Sequence, residues 1–362
     1  MPQNFDLNAV REKIDALDIE IQEKITERAF LAADVALAKR AVEANPNFYR
    51  PEREAQVLRM AIERNLGPLP DKTIKELFQH IMSACLALQK PLTIAYLGPE
   101  GTYSQAAVKK HFGRAIKTQQ MKSIDSVFQE VIKGHANYGV VPLENSTEGG
   151  VNTTLDTLVG TSLTICGEVD LPIHHYLLSH CPSKKQIKRV YAHQQSLGQC
   201  QHWLNENLPH AELFSVASNA EAAKRAVHES DVAAIAGKTA MQLYQLKPLA
   251  SHIEDNPKNV TRFVVLGEQS TDVSGCDKTS LVLSSTDADH AGDLFKILKP
   301  LAKAKINMTR IESRPSRQSN WNYVFFIDIE GHQQQEHVQQ ALKTLRKHSA
   351  FFKILGSYPR AI

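Results

Sequence analysis

The chain has 362 residues, a length that corresponds to two or three domains at about 150 residues each. Hydrophobic residues make up 42% and charged residues 22%, which excludes a largely disordered or fibrous protein. The net charge of +3 does not indicate nucleic acid or a membrane surface as a partner, and the apolar runs are too short to span a bilayer.

The N-terminus and the cysteines both predict a cytoplasmic protein. The N-terminal segment is charged and helix-periodic, unlike a signal peptide. The five cysteines are scattered and include no CxxC pair. We therefore expect reduced thiols, with neither a disulfide framework nor a structural zinc.

The first 90 residues carry a helical pattern and no strand signal. Apolar residues recur at helical spacing over about 6–42, namely at Leu7, Val10, Ile14, Leu17, Ile21, Leu31, Val35 and Ala38. The helix that they predict would be about 55 Å long, so we expect it to pack against a second chain. Pro51 suits the first turn of a second helix, and Asp71 can cap a third.

Cations interrupt the apolar stripe of the first helix. Lys24 and Arg28 occupy stripe positions, and Lys39 follows on nearly the same face as Arg28. Such side chains commonly reach solvent or pair with neighbours, here Glu20 and Glu27, and for any single cation this is the commoner outcome. Together they predict a pocket for a small dianion, because a buried cation needs a compensating charge.

Two further residues extend this pocket hypothesis. Gln89 places an amide on the stripe of the third helix, where an apolar residue is expected. Arg11 lies about 25 Å along the first helix from Arg28, too far for one small ligand to touch both. An antiparallel partner helix would bring a second copy's Arg11 to Arg28, so the hypothesis also predicts a dimer.

From residue 92 to about 268, predicted strands alternate with helices, which indicates an α/β region with a largely parallel sheet. Polar motifs stand at strand ends: GPEGTYS at 98–104, ENSTEGG at 144–150 and NVTRF at 259–263. Open α/β sheets bind ligands at such ends, so we expect these motifs to line a site. His174 and His175 fall in a predicted strand, where neighbours face opposite sides, so we predict no metal site there or elsewhere.

The pattern Arg11, Arg28, Lys39, Arg53, Glu54 and Gln89 on helices resembles the all-helical chorismate mutases over residues 1–90. The resemblance implies that Arg28 and a second copy's Arg11 grip the carboxylates of chorismate, with Arg53 nearby. It also implies that Lys39 and Gln89 face the ether oxygen and Glu54 the ring hydroxyl. The rearrangement to prephenate is pericyclic, so holding the reactive conformer and stabilising charge on the ether oxygen suffice. Arg50 and Cys85 depart from relatives.

The order and spacing of the polar motifs resemble prephenate dehydratase over residues 92–268, which implies two α/β lobes of the periplasmic-binding-protein type. By this resemblance the Thr261 hydroxyl assists the departing hydroxyl group of prephenate. Arg262 is a candidate for binding a carboxylate or for positioning its loop. The other cleft residues implied are Ser104, Glu144, Asn145, Ser146 and Gln199. Ala192 and Gln194 depart from relatives in the loop that carries Gln199.

From residue 279 to 358 the predicted order is βαββαβ, typical of a ferredoxin-like fold. Details in this region resemble an ACT domain, a sensor module of amino-acid biosynthetic enzymes, with the ESRP signature of dehydratases that sense phenylalanine. The resemblance implies that L-phenylalanine binds between paired modules, at Gly292, Leu294, Glu312, Ser313, Arg314 and Pro315. Asp293 stands where relatives carry alanine. The predicted fold class is thus a multidomain α plus α/β chain.

Together these resemblances imply a bifunctional enzyme of phenylalanine biosynthesis that needs no cofactor and is inhibited by L-phenylalanine. It would form a homodimer, or a larger oligomer, through helix one and the ACT domain. One alternative is a two-lobed binding protein without catalysis. Another is the loss of one activity, for which Arg50 or Ala192 would be the first suspects. Turnover assays would separate these alternatives.

Overall fold

The structure, a computed structural model, describes residues 6–44, 46–285, 292–315 and 323–362. The described residues group into two compact units. The first comprises Val57–Leu92, Phe112–Ile116 and the described part of Met1–Arg50. The second comprises Pro51–Gln56, Thr93–His111 and the described part of Lys117–Ile362.

The N-terminal region is helical, with α1 (Leu7–Val42), α2 (Pro51–Glu63) and α3 (Asp71–Gln89). The predicted first helix is confirmed, and it begins where expected because the Asp6 carboxylate accepts a hydrogen bond from the Asn8 backbone N–H at 3.0 Å. Pro51 is the first residue of α2, as predicted. Asp71 does not cap α3 but is its first residue, and its carboxylate accepts a hydrogen bond from the Asn65 side chain at 2.6 Å.

The apolar stripe of α1 is uncovered within one chain. Its exposed side chains, each at least 38% accessible, are Leu7, Val10, Ile14, Leu17, Ile21, Ile25, Leu31 and Val35. Ala36, near the C-terminal end of α1, is buried. A continuous exposed stripe of this length is typical of a protein–protein contact surface.

The second unit contains two α/β sheets and a third, C-terminal sheet. The strands of the first sheet are β1 (Thr93–Leu97), β2 (Lys117–Met121), β3 (Tyr138–Asn145), β4 (Gly149–Gly150), β5 (Thr164–Pro172) and β11 (Val260–Gly267). Those of the second are β6 (Tyr176–Ser179), β7 (Arg189–His193), β8 (Glu212–Val216), β9 (Val232–Ala236) and β10 (Lys247–Ser251). The accompanying helices are α4 (Tyr103–Phe112), α5 (Ile124–Ile132), α6 (Asn152–Gly160), α7 (Gln194–Gln199), α8 (Gln201–Asn207), α9 (Asn219–His228) and α10 (Lys238–Tyr244), with a 3-10 turn at Lys184–Gln186.

Both sheets are mixed, which corrects the expectation of a largely parallel sheet. The strand orders are β2-β1-β3-β11-β5, with β4 on β3, and β10-β6-β9-β7-β8. In the first sheet β1 is parallel to β2 and β3, whereas β11 is antiparallel to β3 and β5. In the second, β7 is parallel to β8 and β9, whereas β6 is antiparallel to β9 and β10. The chain forms the whole second sheet before it returns to the first sheet as β11. The predicted two-lobed α/β fold is confirmed, with the first sheet in the first lobe and the second sheet in the second lobe.

The C-terminal region has the predicted βαββαβ order. Its elements are β12 (Asp277–Ser285), α11 (Asp293–Lys303), β13 (Met308–Pro315), β14 (Tyr323–Glu330), α12 (Glu336–Lys347) and β15 (Ser349–Pro359). The sheet order β13-β14-β12-β15 is that of a ferredoxin-like fold. The predicted starts of its first helix at Ala291 and of its third strand at Trp321 lie outside the described residues.

Both faces of the C-terminal sheet are covered. Helices α11 and α12 pack on one face, where Leu283, Ile297 and Leu345 belong to one buried cluster. The other face contributes to the core of the first lobe the side chains of Val282, Phe326, Leu355 and Tyr358. The contact is close, because a Cβ on Gly356 would overlap the backbone of Ile165. Among the described residues, every helix is too short or too polar to cross a bilayer.

Candidate active site

Residues of the polar motifs meet in a cavity of about 210 Å³ that is lined from both α/β sheets. Among the residues predicted to contact prephenate, those that line it are Ser104, Asn145, Gln199 and Thr261. Its other polar lining residues include Tyr103, His175, His193, Ser196 and Asn219. The structure therefore brings most of the predicted residues together and adds several that the sequence did not indicate.

Thr261 and Asn145 form a polar pair in the cavity wall. They are direct partners across β11 and β3, so their side chains lie on the same face of the sheet. Asn145 Nδ2 donates a hydrogen bond to Thr261 Oγ1 at 2.8 Å. Because Oγ1 accepts this bond, its own O–H remains available to donate to an oxygen of a molecule in the cavity.

The amide of Asn145 is held in one orientation at the end of β3. Its Oδ1 accepts hydrogen bonds from the Thr147 backbone N–H at 3.0 Å and from the Glu148 backbone N–H at 3.2 Å. Its Nδ2 also donates to Asn259 Oδ1 at 2.8 Å. Since backbone N–H groups only donate, they fix which end of the amide faces Thr261.

The GPEGTYS turn forms one side of the cavity. The Gly98 backbone lies so close to β2 that a Cβ on Gly98 would be 2.9 Å from Gln120 Cβ. Gly101 has a φ of +87°, a conformation that favours glycine. The Thr102 hydroxyl donates to the Pro99 carbonyl at 2.9 Å and closes the turn. The chain then enters α4, where Ser104 is buried against the cavity.

His175 connects two elements of the cavity wall. Its Nδ1 lies 2.8 Å from the Tyr103 hydroxyl oxygen, and its Nε2 lies 3.0 Å from Gln199 Oε1. Burial lowers the pKa of His175 below 6.5, although the hydrogen bond with Gln199 and the charge of Glu254 oppose this shift. Gln199 Nε2 is buried and has no hydrogen-bond partner among the described residues, so it can donate to a bound molecule.

Sequence reasoning missed His175 as a cavity residue and did not single out Tyr103. Tyr103 stood in the GPEGTYS motif, and burial raises its pKa, so it stays a neutral hydrogen-bonding group. The expectation that His174 and His175 lie in a strand was wrong. Strand β6 begins only at Tyr176, because its partner β10 ends opposite this residue at Ser251.

His174 lies in a separate cluster beside the cavity. Its Nδ1 is 2.7 Å from Glu254 Oε1, and His252 Nδ1 is 3.6 Å from the same oxygen. The donor atoms of these three residues lie within 4.8 Å of one another, a spacing that metal ligands can adopt. Glu254 Oε2 accepts a hydrogen bond from the His175 backbone N–H at 2.8 Å, so both carboxylate oxygens already have donors. Burial would raise the pKa of Glu254, but these hydrogen bonds outweigh it and lower the pKa.

Arg262 does not line the cavity, which argues against its expected role in carboxylate binding. Its guanidinium donates to Glu168 Oε2 at 2.8 Å, to Asp328 Oδ2 at 2.5 Å and to the Tyr358 hydroxyl at 2.8 Å. Burial would lower the pKa of Arg262, but these groups raise it, so the cation is maintained. Each guanidinium nitrogen thus has a protein acceptor, a geometry that favours the expected positioning role over carboxylate binding.

Glu144 and Ser146 also lie outside the cavity lining. Glu144 Oε2 is 2.9 Å from Nε of Arg310 in β13. The Ser146 hydroxyl accepts a hydrogen bond from the Val260 backbone N–H at 3.0 Å and supports the entry to β11. Strand alternation explains the position of Glu144, which faces away when its neighbour Asn145 faces the cavity. Ser146 lies beyond the end of β3, in a turn, where its hydroxyl is 3.3 Å from Asn259 Oδ1.

In the first unit, the predicted chorismate-binding residues Arg28, Lys39 and Gln89 are half-buried. Lys39 Nζ donates to the Asn47 carbonyl at 2.9 Å. Gln89 Nε2 donates to the carbonyl of Ala32, one helical turn after Arg28, at 2.8 Å. The side chain of Gln89 therefore turns from α3 towards the same stretch of α1 that carries Arg28 and Lys39.

The remaining predicted mutase residues are placed differently. Arg11 is exposed on α1. Arg53 and Glu54 lie in the first turn of α2, which groups with the second unit. Lys24 is exposed and pairs with Glu27 at 2.8 Å, so the solvent-exposed alternative describes this cation.

The four predicted effector residues on β13 are divided between the two faces of this strand. Ser313 and Pro315 are exposed, whereas Glu312 and Arg314 lie on the face that packs on the first lobe. The Glu312 carboxylate contacts Arg310 and lies against Gly150 of the ENSTEGG motif.

The contacts and positions of the other predicted effector residues differ. Arg314 pairs with Asp156 of α6 at 2.9 Å. Gly292 has a φ of +86° and precedes α11, where Leu294 is exposed. The positive φ explains why glycine suits this turn.

Three family models match consecutive parts of the chain: chorismate mutase type II over residues 10–90, prephenate dehydratase over 94–271 and ACT domain over 287–347. The bifunctional chorismate mutase/prephenate dehydratase of Pseudomonas aeruginosa is 48% identical over 100% of both chains. The protein of that description from Neisseria gonorrhoeae is 49% identical and covers 97% of this chain and 96% of its own. A solved prephenate dehydratase from Arthrobacter aurescens, in complex with L-Phe, is 35% identical with a TM-score of 0.69, covering 75% of this chain and 90% of that one.

Proposed function

The chain belongs to the bifunctional chorismate mutase/prephenate dehydratase family, and on this premise we propose which residues carry out each reaction. It is an enzyme that rearranges chorismate to prephenate and converts prephenate to phenylpyruvate. The family and both activities predicted from the sequence are confirmed, and the alternative of a binding protein without catalysis was wrong.

In the dehydratase reaction the hydroxyl group leaves the ring, the ring carboxylate leaves as CO₂, and the electron pair from the broken C–C bond completes the aromatic ring. The Thr261 O–H donates a hydrogen bond to the departing oxygen, which would otherwise leave as unsupported hydroxide. The observation that carries this role is the 2.8 Å hydrogen bond from Asn145 Nδ2 to Thr261 Oγ1. That bond points the hydroxyl proton away from Asn145 and makes Oγ1 a better donor.

Neutral donors hold the rest of prephenate. Gln199 Nε2 is a buried N–H without a hydrogen-bond partner in the part of the chain that the structure describes, and Ser104 supplies a hydroxyl in the same cavity wall. Neutral donors suit a substrate whose ring carboxylate must depart, because a tight cationic clamp on that group would oppose the loss of CO₂. The commitment of Arg262 to protein partners is consistent with this division.

In the mutase reaction Arg28 binds a carboxylate of chorismate, and Lys39 and Gln89 stabilise the negative charge that develops on the ether oxygen. The half-buried positions of these three residues on α1 and α3 support the assignment. Arg53, Glu54 and a second copy's Arg11 are the other residues that we propose bind chorismate.

The second copy is the proposed partner of α1. The exposed stripe gives an apolar surface for an antiparallel contact, and Leu17 and Ile21 lie near its middle. The C-terminal regions form the second contact of the homodimer. A monomer in solution would contradict this proposal.

L-phenylalanine is the proposed effector of the C-terminal region, at Gly292, Leu294 and the segment Glu312 to Pro315. The L-Phe complex of the Arthrobacter aurescens relative supports this choice. We also propose a cytoplasmic location and functional regions at 1–90, 92–268 and 279–358. Separate assays of chorismate and prephenate turnover, each with and without L-phenylalanine, test the whole assignment. The absence of either turnover, or equal rates with and without the effector, would contradict the corresponding part.

A further inference from the structure

We propose that Arg262 and Glu144 are positioning residues through which the C-terminal sheet sets the geometry of the dehydratase cavity. An effector that shifts this sheet would then change dehydratase turnover through them. The second statement rests on the proposed effector role of L-phenylalanine, whereas the first does not.

The strand pair β3 and β11 carries the proposed catalytic residues on one face and the proposed positioning residues on the other. Thr261 is the partner of Asn145 across β11 and β3, and Arg262 is the partner of Glu144 in the next position. Successive side chains of a strand point to opposite faces, so the second pair lies behind the first. The backbone is continuous, and a displacement of Arg262 therefore carries Thr261 with it.

Arg262 is the centre of a buried network shared with the C-terminal sheet. Two of its acceptors, Asp328 on β14 and the Tyr358 hydroxyl on β15, are 2% and 0% exposed. The Ser280 hydroxyl of β12 lies 2.5 Å from Asp328 Oδ1 and 2.6 Å from the Tyr358 hydroxyl oxygen, which joins these acceptors. The cation therefore ties the catalytic strand to three strands of the C-terminal sheet.

The third acceptor of Arg262 is also tied to the C-terminal region. Glu168 on β5 accepts from Arg262 and from Lys278 Nζ of β12 at 2.7 Å. Its other oxygen accepts a hydrogen bond from the Ala361 backbone N–H at 3.0 Å. An ion network with this many mutual partners resists movement of one strand without the others.

Glu144 forms a second link, and this link ends at the ESRP segment. Arg310 on β13 lies between Glu144 and Glu312 and pairs with both carboxylates. The Arg310 side chain is 8% exposed, whereas the side chains of Glu144 and Glu312 are 37% and 25% exposed, so the cation is shielded from water and its two carboxylate partners are within reach of solvent. A ligand amino group that binds the Glu312 carboxylate would compete with Arg310 for that carboxylate. The ion pair between Arg310 and Glu144 would then change.

Single substitutions in the C-terminal sheet test the positioning role without touching the cavity. Asp328→Asn removes one charge of the network, and Tyr358→Phe removes only a hydroxyl and is the milder variant if the first folds poorly. Dehydratase kcat and KM for prephenate, the L-phenylalanine concentration for half-inhibition and the mutase rate are measured on each full-length enzyme. Arg346→Gln, a charge removal on the helix-covered side of the same sheet, is the matched control.

We expect both variants to lower dehydratase kcat about tenfold while KM changes less than about twofold, because no substrate contact is lost. The half-inhibiting concentration of L-phenylalanine should shift by about fivefold or more, the usual range of allosteric coupling. The mutase rate and all parameters of Arg346→Gln should match those of the unaltered enzyme.

A double-substitution cycle then separates positioning from substrate binding. Combining Arg262→Lys with Asp328→Asn should cost little more in kcat than the larger single effect, since both break one link. Additive effects would overturn the proposal. A second combination of results would also overturn the proposal: a large increase in KM for Arg262→Lys, together with unchanged kcat in both Asp328→Asn and Tyr358→Phe. Those results would mean that Arg262 contacts prephenate itself. Insensitivity of the unaltered enzyme to L-phenylalanine would refute the effector assignment only, and the kcat effects would still decide the positioning role.

Discussion

The dehydratase cavity and the mutase region differ in how much of a site one chain supplies. Around the cavity, Asn145, His175 and Gln199 already hold one another or their neighbours through hydrogen bonds. In the mutase region, Arg28 and Lys39 are half-buried, but the apolar stripe beside them is exposed. The polar network around the cavity lies within one chain, whereas the exposed stripe of α1 is the reason for the proposal that a second chain contributes to the mutase site.

The sharpest way to separate the two regions is Thr261→Ala. Loss of the hydroxyl should reduce dehydratase kcat by about 10²- to 10⁴-fold, the usual contribution of a positioned proton donor, and leave mutase turnover unchanged. Thr261→Ser retains the hydroxyl and should recover most of the activity. Dehydratase kcat close to normal in Thr261→Ala would remove this residue from the chemistry.

The converse experiment is Lys39→Ala. Removing the cation that we propose faces the ether oxygen should reduce mutase kcat by about 10²- to 10³-fold and spare the conversion of added prephenate. Lys24→Ala is the matched control on the same helix, because Lys24 is exposed and paired with Glu27. Equal losses of both activities in Lys39→Ala, or a comparable mutase loss in Lys24→Ala, would contradict separate sites.

A charge on the α1 stripe tests whether the mutase site needs a second chain. Leu17→Asp should weaken association by about 100-fold, measured by sedimentation equilibrium, because burying an unpaired carboxylate is costly. Mutase activity per chain should fall with dilution, while dehydratase activity should not. Ala16→Asp places the same charge beside the stripe, and a similar effect there would argue against a specific contact.

The smallest expected effect is a pH dependence confined to the dehydratase. Its kcat/KM should fall at acid pH as His175 becomes protonated, with a midpoint below 6.5, because burial favours the neutral ring. The same lowered pKa means that the stability contribution of neutral His175 is present above pH 6.5 and is lost as the pH falls. His175→Gln should remove this acid limb, and the mutase profile should not show it.

The sequence predicted those features that follow from short-range pattern. The spacing of Leu7 to Ala38 specified α1, and Asp6 specified its first turn. The polar motifs located Asn145 and Thr261 because strand ends gather ligand-binding residues. The strand β2, with the sequence KTQQM, was missed because it is polar and lies at a sheet edge.

The roles of Glu144 and Arg262 could not be read from the motifs for a different reason. A motif is contiguous in sequence, but a strand sends alternate side chains to opposite faces. Only the C-terminal sheet, which packs behind β3 and β11, shows what the second face touches. His175 was missed because the length of β6 is set by its distant partner β10 rather than by local sequence.

Removing the C-terminal region would remove side chains that form part of the hydrophobic core of the first lobe. Phe326, Leu355 and Tyr358 pack in the same cluster as Val264, so a chain that stopped near residue 268 would present bare hydrocarbon to water. A stable first lobe without the C-terminal region would therefore require replacement of the apolar side chains, such as Val264, that become exposed. The C-terminal region therefore stabilises the first lobe in addition to carrying the proposed effector residues.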